Sequence, residues 1–188
     1  MGLFLRILYL GIPKGICRAI SENMIGLYLY HGDFSMMRKS NIYAPGNPRK
    51  INPNWFTGKT SMKDISGIIQ SEQHNIYHVY FKGGSKTKLH THNGNQILIA
   101  TKGKGKLELF KKLQNKKSHF AIKKTESITL NEGDIVYIPK NTLHTHGSIS
   151  KSQTFSHIAI NIIPSKNSEY KTTWYESDYT KSAGNIVP

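Results

Sequence analysis

Residues 90–96 read His-Thr-His-Asn-Gly-Asn-Gln. In a strand, side chains two apart point to the same face, so His90 and His92 aim two imidazoles into one space. Asn93-Gly94-Asn95 suits a tight corner, after which Gln96 can face the same interior. A second close pair, His144 and His146, follows Ile138-Pro139-Lys140-Asn141, a strand end and a turn. An H-x-H pair alone is also what two polar strand residues would give. Three imidazoles and one amide oxygen, from His90, His92, Gln96 and His144, suit a borderline divalent ion such as Mn, Fe, Co, Ni or Zn.

The texture around this stretch is that of short strands. Ile76 to Phe81, Gln96 to Ala100, Lys106 to Phe110, Ser118 to Lys123, Ser127 to Leu130, Ile135 to Ile138 and Phe155 to Ile163 are rich in β-branched and aromatic residues. Turn residues separate them, with a turn expected at Lys102-Gly103-Lys104-Gly105. Many short strands with Gly, Asn and Pro turns predict an all-β antiparallel sandwich or barrel. No helix of ten or more residues is expected within it. The lysine-rich stretch 111–124 reads as a solvent-facing hairpin, and the polar tail after Trp174 as a segment that wraps the barrel or frays.

Outside this region the chain is less informative. It has 188 residues, enough for one domain with a core. Pro45-Gly46-Asn47-Pro48 and Asn52-Pro53-Asn54 mark a boundary. The expected organisation is an N-terminal extension over 1–50, its order left open by the sequence, a barrel over 51–181 and a tail over 182–188. Met1 to Ile12 is apolar but interrupted by Arg6. It is too short to span a bilayer and does not follow the pattern of a signal peptide, so a cytoplasmic protein with no membrane partner is expected. Met24, Met36 and Met37 are alternative starts. The formal net charge is +15, yet the lysines are scattered and form no recognised nucleic-acid motif, so no nucleic-acid partner is expected. The single cysteine, Cys17, excludes an intrachain disulfide framework and a cysteine-based zinc site.

Two spaced motifs sharpen this reading. Gly84, five residues, His90, one, His92, three, Gln96, six, Gly103 resembles the first motif of the cupin family; the usual residue at Gln96 is Glu. Gly133, five residues, Pro139, one, Asn141, two, His144 resembles the second, with Asn141 at a usual glycine and Ser148 at a usual asparagine. The 29 residues from Lys104 to Glu132 make a longer spacer than compact members have. Trp55-Phe56-Thr57-Gly58, Gln96, His144-Thr145-His146-Gly147 and His157-Ile158-Ala159-Ile160 are similar to one subgroup. It contains small bacterial cupins of the carboxymuconolactone-decarboxylase-associated type and the manganese-dependent cupin hydroxynitrile lyases. The resemblance runs from about Asn54 to Lys181.

The resemblance implies a double-stranded β-helix, that is, a jelly-roll barrel, acting on a small-molecule substrate and assembling as a homodimer or homotetramer. It implies a metal held by His90, His92, Gln96 and His144, with manganese favoured over Fe, Zn, Ni or Co. It gives His146 and His157 as proton-transfer groups and Tyr77, Val79 and Asn161 as pocket residues. Tyr77 is bulkier, and Asn161 shorter, than the residues the lyases place there. The implied activity is metal-dependent carbon–carbon cleavage. A metal-dependent dioxygenase or isomerase, and a small-molecule-binding cupin without catalysis, are the alternatives. Trp55 and Trp174 are expected to be packing or dimer-contact residues, and His31, His74, His78 and His119 ordinary surface or strand histidines.

Overall fold

The computed structural model describes residues 37–46, 48–113 and 119–186. The described residues form ten strands: β1 (Thr60–Asp64), β2 (His74–Phe81), β3 (Leu89–His92), β4 (Gln96–Lys112), β5 (His119–Asn131), β6 (Ile135–Ile138), β7 (Leu143–Ser148), β8 (Phe155–Ile162), β9 (Thr172–Ser177) and β10 (Ser182–Asn185). Among the described residues, helix is confined to one 3₁₀ turn (Pro53–Trp55) and one α-turn (Ser66–Ile69).

All pairings between strands are antiparallel. The first half of β4 joins β8 and β6, and β8 leads on to β2 and β1. The second half of β4 lies between β5 and β7, and the path β5-β10-β9-β3-β7 returns to β4. This closure removes open edges that would otherwise recruit other strands. Two apolar clusters follow the division. One is built mainly from β2, β6, β8 and the first half of β4, around Val79, Phe81, Leu98 and Phe155. The other gathers Leu89, Phe110, Phe120, Ile122, Leu143 and Tyr175 from the closed ring. The architecture is the jelly-roll barrel expected from the sequence.

Two local expectations are corrected. The turn expected at Lys102–Gly105 is a bend within the single 17-residue strand β4. The register with β8 slips between Ala100 and Lys102, and Gly103 takes φ +76°. The bend carries β4 from one sheet to the other, so glycine here marks a barrel corner rather than a chain reversal. The second correction concerns the polar end of the chain. Thr172–Ser177 and Ser182–Asn185 are paired strands, with Ala183 and Tyr175 buried; alternation of buried with exposed polar residues makes them edge-like in sequence. The residues just before the barrel also make contacts with it. Residues 1–36 lie outside the described residues, but Asn41, Ala44, Pro48 and Arg49 already bond to β1. Pro48 bridges Lys63, the Arg49 amide donates to Met62 (2.8 Å), and Lys63 Nζ donates to the carbonyls of Asn41 and Ala44.

Gly103 offers a direct test of the corner. An added Cβ would lie 2.2 Å from the Thr154 carbonyl oxygen, and the positive φ adds its own strain. Gly103→Ala is expected to lower unfolding free energy by about 2 kcal/mol or more, read from the denaturant midpoint. A change under about 0.5 kcal/mol would mean that this corner is not rigid.

Candidate metal and substrate site

Register places the candidate residues on two facing walls. On β2 and β8, Tyr77 lies opposite Ala159 and Val79 opposite His157. On β4 and β8, Gln96 lies opposite Asn161 and Ala100 opposite His157. Strand alternation turns Tyr77, Val79, Gln96, His157 and Asn161 inward, and all five are buried. On the other wall His90 pairs with His144 across β3 and β7, and His92 pairs with Thr172 on β9. The Asn141 amide donates to the His92 carbonyl (2.7 Å) from a left-handed residue at φ +63°, which ties the two motifs together.

His90, His92 and His144 form the one group of three potential metal-ligating side chains of this kind among the described residues, their ligand atoms within 4.8 Å of one another. His90 Nδ1 lies 2.8 Å from the Lys88 carbonyl and His144 Nδ1 2.8 Å from the Thr142 carbonyl. A carbonyl only accepts, so both Nδ1 atoms carry the hydrogen and both Nε2 atoms keep their lone pairs. His92 Nδ1 pairs with Thr172 Oγ1 at 2.9 Å. The Gln96 amide is oriented in the same manner: its Nε2 donates to Asn161 Oδ1 at 2.8 Å, leaving Oε1 for the interior. His92 Nε2, His144 Nε2 and Gln96 Oε1 are buried without a hydrogen-bond partner. Buried polar atoms are rarely left so. Several lone pairs of nitrogen and oxygen converging without donors are what a divalent cation satisfies, and the donor set fits a borderline ion.

Burial holds these imidazoles neutral. Desolvation pushes His144 down to about 4 and His157 down to about 3. Desolvation first, and then the neighbouring histidines, hold His90, His92 and His146 well below the ordinary imidazole value. The neutral ring is the form that binds metal and accepts a proton.

A cavity of about 460 Å³ opens onto this cluster. Tyr77, Val79 and Asn161 line it, as do His90, His92, Gln96, His146 and His157; His144 sits behind them, fully buried. His157 is held between Phe81 and Phe155, with ring centroids at 5.6 and 5.5 Å, and meets His146 edge-on at 4.9 Å. His146 Nδ1 and both His157 nitrogens are buried and unpartnered. His78 instead bonds Thr101 Oγ1 at 3.2 Å, and His119 is exposed; His31 lies outside the described residues.

Three contributions to the cavity were not anticipated. Trp55 and Trp174, expected in packing or dimer contacts, stack at 5.3 Å and form part of its wall, with Trp174 lying 4.6 Å from the His90 ring. Tyr170 covers His92 at 4.9 Å and buries an unpartnered hydroxyl; desolvation raises its pKa. Arg49 reaches the cavity with its guanidinium 4.5 Å over the Tyr77 ring. These residues come from segments with no local motif; long-range pairing alone delivers them.

A jelly-roll barrel with a buried three-histidine cluster opening on an internal cavity defines a β-barrel protein equipped to bind a metal. Residues 41–177 match the sequence profile of the cupin family, and the chain belongs to that family. Among solved structures, it is similar to a cupin-like protein of Thermotoga maritima, with 27% identity and a TM-score of 0.53 over 73% of this chain and 90% of that one. The polyketide cyclase RemF of Streptomyces resistomycificus shares the fold at 12% identity, with a TM-score of 0.53 over 76% of this chain and 89% of that one. No curated protein matches. No helix among the described residues is long and apolar enough to cross a membrane.

Proposed function

We propose that this cupin is a divalent-metal-dependent enzyme acting on a small organic substrate, with carbon–carbon cleavage of the hydroxynitrile-lyase type as its reaction and manganese as its preferred ion. One observation carries the reading: the unpartnered Nε2 of His92 and Oε1 of Gln96 belong to residues lining the same cavity as His146 and His157, whose nitrogens are also unpartnered, and the unpartnered Nε2 of His144 lies behind them in the three-histidine group. In it, His90, His92, Gln96 and His144 would hold the ion, which would supply Lewis acidity toward a substrate hydroxyl or carbonyl oxygen. An amide in place of a carboxylate leaves more of that positive charge uncompensated.

The protein's own groups have distinct tasks. His157 or His146 accepts the substrate proton. Because burial disfavours the charged ring, the proton is readily handed back to the leaving group. Phe81 and Phe155 fix the His157 plane, and His146 keeps its place through its neighbours on β7. Tyr77 and Val79 set the width of the cavity beside His157, while Asn161 holds the Gln96 amide by its Nε2.

The reading is tested by elemental analysis of the purified protein, followed by mandelonitrile cleavage with the manganese-loaded form. About one ion per chain and release of benzaldehyde are expected. Purification without metal, from cells grown with ample manganese, iron and zinc, would reject the site. A metal-loaded protein that leaves mandelonitrile intact would reject the lyase reaction, and oxygen consumption by the iron-loaded form would then favour a dioxygenase.

A further inference from the structure

The charge inventory of the cavity narrows what can enter it. The donors at the cluster are three imidazoles and one amide, all without negative charge in the form that binds metal. Among the described residues no Asp or Glu lines the cavity, and Arg49 is the one formally ionised wall residue. A protein carboxylate among the ligands of an open site would offset part of the ion's charge. Here nothing among the lining residues does so, and a guanidinium adds to the excess.

Arg49 is placed by the fold rather than by chance of rotamer. Its amide is bonded to Met62 on β1 (2.8 Å), the preceding Pro48 bridges Lys63, and its guanidinium rests on the ring of Tyr77, itself buried in the wall. Among the described residues its side chain makes no ion pair with a carboxylate. Asp64, opposite Tyr77 across β1 and β2, accepts through its Oδ1 from Ser66 Oγ at 2.6 Å and from the Gly67 amide at 3.1 Å. The guanidinium, exposed at the edge of the cavity and hydrogen-bonded with Tyr77, thus has no carboxylate ion-pair partner among the described residues.

Arg49 is solvent-exposed where it borders the cavity, whereas a cation held in the buried cluster would need a counter-charge. We propose that the ligand itself provides it: the site takes a small organic acid, its carboxylate engaged by Arg49 and its other oxygen directed to the histidine cluster. Guanidinium matches a carboxylate in a two-pronged geometry that no neutral isostere reproduces. The flat aromatic walls, Trp55 against Trp174 and Phe56 beside them, suit an apolar or planar body between the two polar ends. This inference rests on the metal-site reading above, but not on a cyanohydrin being the substrate.

The test uses manganese-loaded protein whose metal content has been measured, and calorimetric titration with mandelate, benzoate and pyruvate against the matched amides. At least one acid is expected to bind tenfold or more tightly than its amide. In Arg49→Met, which keeps an unbranched stem but removes the guanidinium, that preference should fall to within about threefold, with metal content unchanged. A preference that survives in Arg49→Met would place acid selection on the metal alone and overturn the role of Arg49. Acids that bind no better than their amides would overturn the substrate class. Absence of metal from the starting protein is a separate result, and it would sink the metal-site reading instead.

Discussion

Replacing His92 with alanine is expected to empty the metal site. The imidazole stands between a β9 partner, Thr172 Oγ1 at 2.9 Å, and an Nε2 buried without any partner. One of its nitrogens is thus spent on orientation and the other is held in reserve for a ligand that the protein itself does not supply. Truncation leaves two imidazoles and an amide, too few to hold an ion that must also shed its water. Affinity should drop by about a hundredfold or more, and metal content after purification should fall from near stoichiometric to a small fraction. Thr172→Val, which removes only the orienting hydroxyl, should lie between, with a loss of about tenfold. The order of the two variants matters as much as their size. If both retained full metal content, His92 would be an ordinary buried histidine and the functional reading built on it would fall.

The part of this site that was legible in the sequence is the part that lies close together in the chain. His90 and His92 share a face because strand geometry has a period of two, and the spacing from Gly84 to Gly103 brings Gln96 near them. The jelly roll was legible for a similar reason: strand-forming runs separated by turn residues leave few architectures open. The misread features share a cause as well. Gly103 and Gly105 look like a hairpin turn, yet Gly105 lies against the Phe155 ring and Gly103 against the Thr154 backbone, so close approach rather than reversal accounts for them. Thr172–Ser177 alternates polar residues on both faces and gives no hydrophobic signal, although Trp174 on this strand backs His90. Arg49 and Tyr170 stand on segments whose relation to the cavity exists only after β1 and β9 have paired. No local periodicity encodes such a contact.

His157→Leu is expected to make the protein more stable and less active at once. The wild-type imidazole is fully buried, stacked between Phe81 (5.6 Å) and Phe155 (5.5 Å), and neither ring nitrogen has a partner. Leaving a polar group unsatisfied in the interior costs about 1–3 kcal/mol. Leucine is close in size and fills the slot between the two rings without that penalty, so unfolding free energy near pH 7.5 should rise by about 1–2 kcal/mol. The gain should grow in acid. His157 titrates at about 3 in the folded protein against 6.5 in the unfolded chain, so between these values the unfolded state binds a proton that the folded state refuses. Wild-type stability is therefore lost as pH falls from 6.5 toward 3, whereas leucine has no such term. At pH 5 the gap between variant and wild type should have widened by about 2 kcal/mol. Turnover should meanwhile fall by about 10²–10⁴-fold, the usual contribution of a positioned acid–base group, with metal content unchanged because His157 is not among the expected ligands. A residue kept for packing would show the reverse: lower stability in the variant and little change in activity. Only a side chain retained for its chemistry would weaken the fold that holds it while sustaining the reaction.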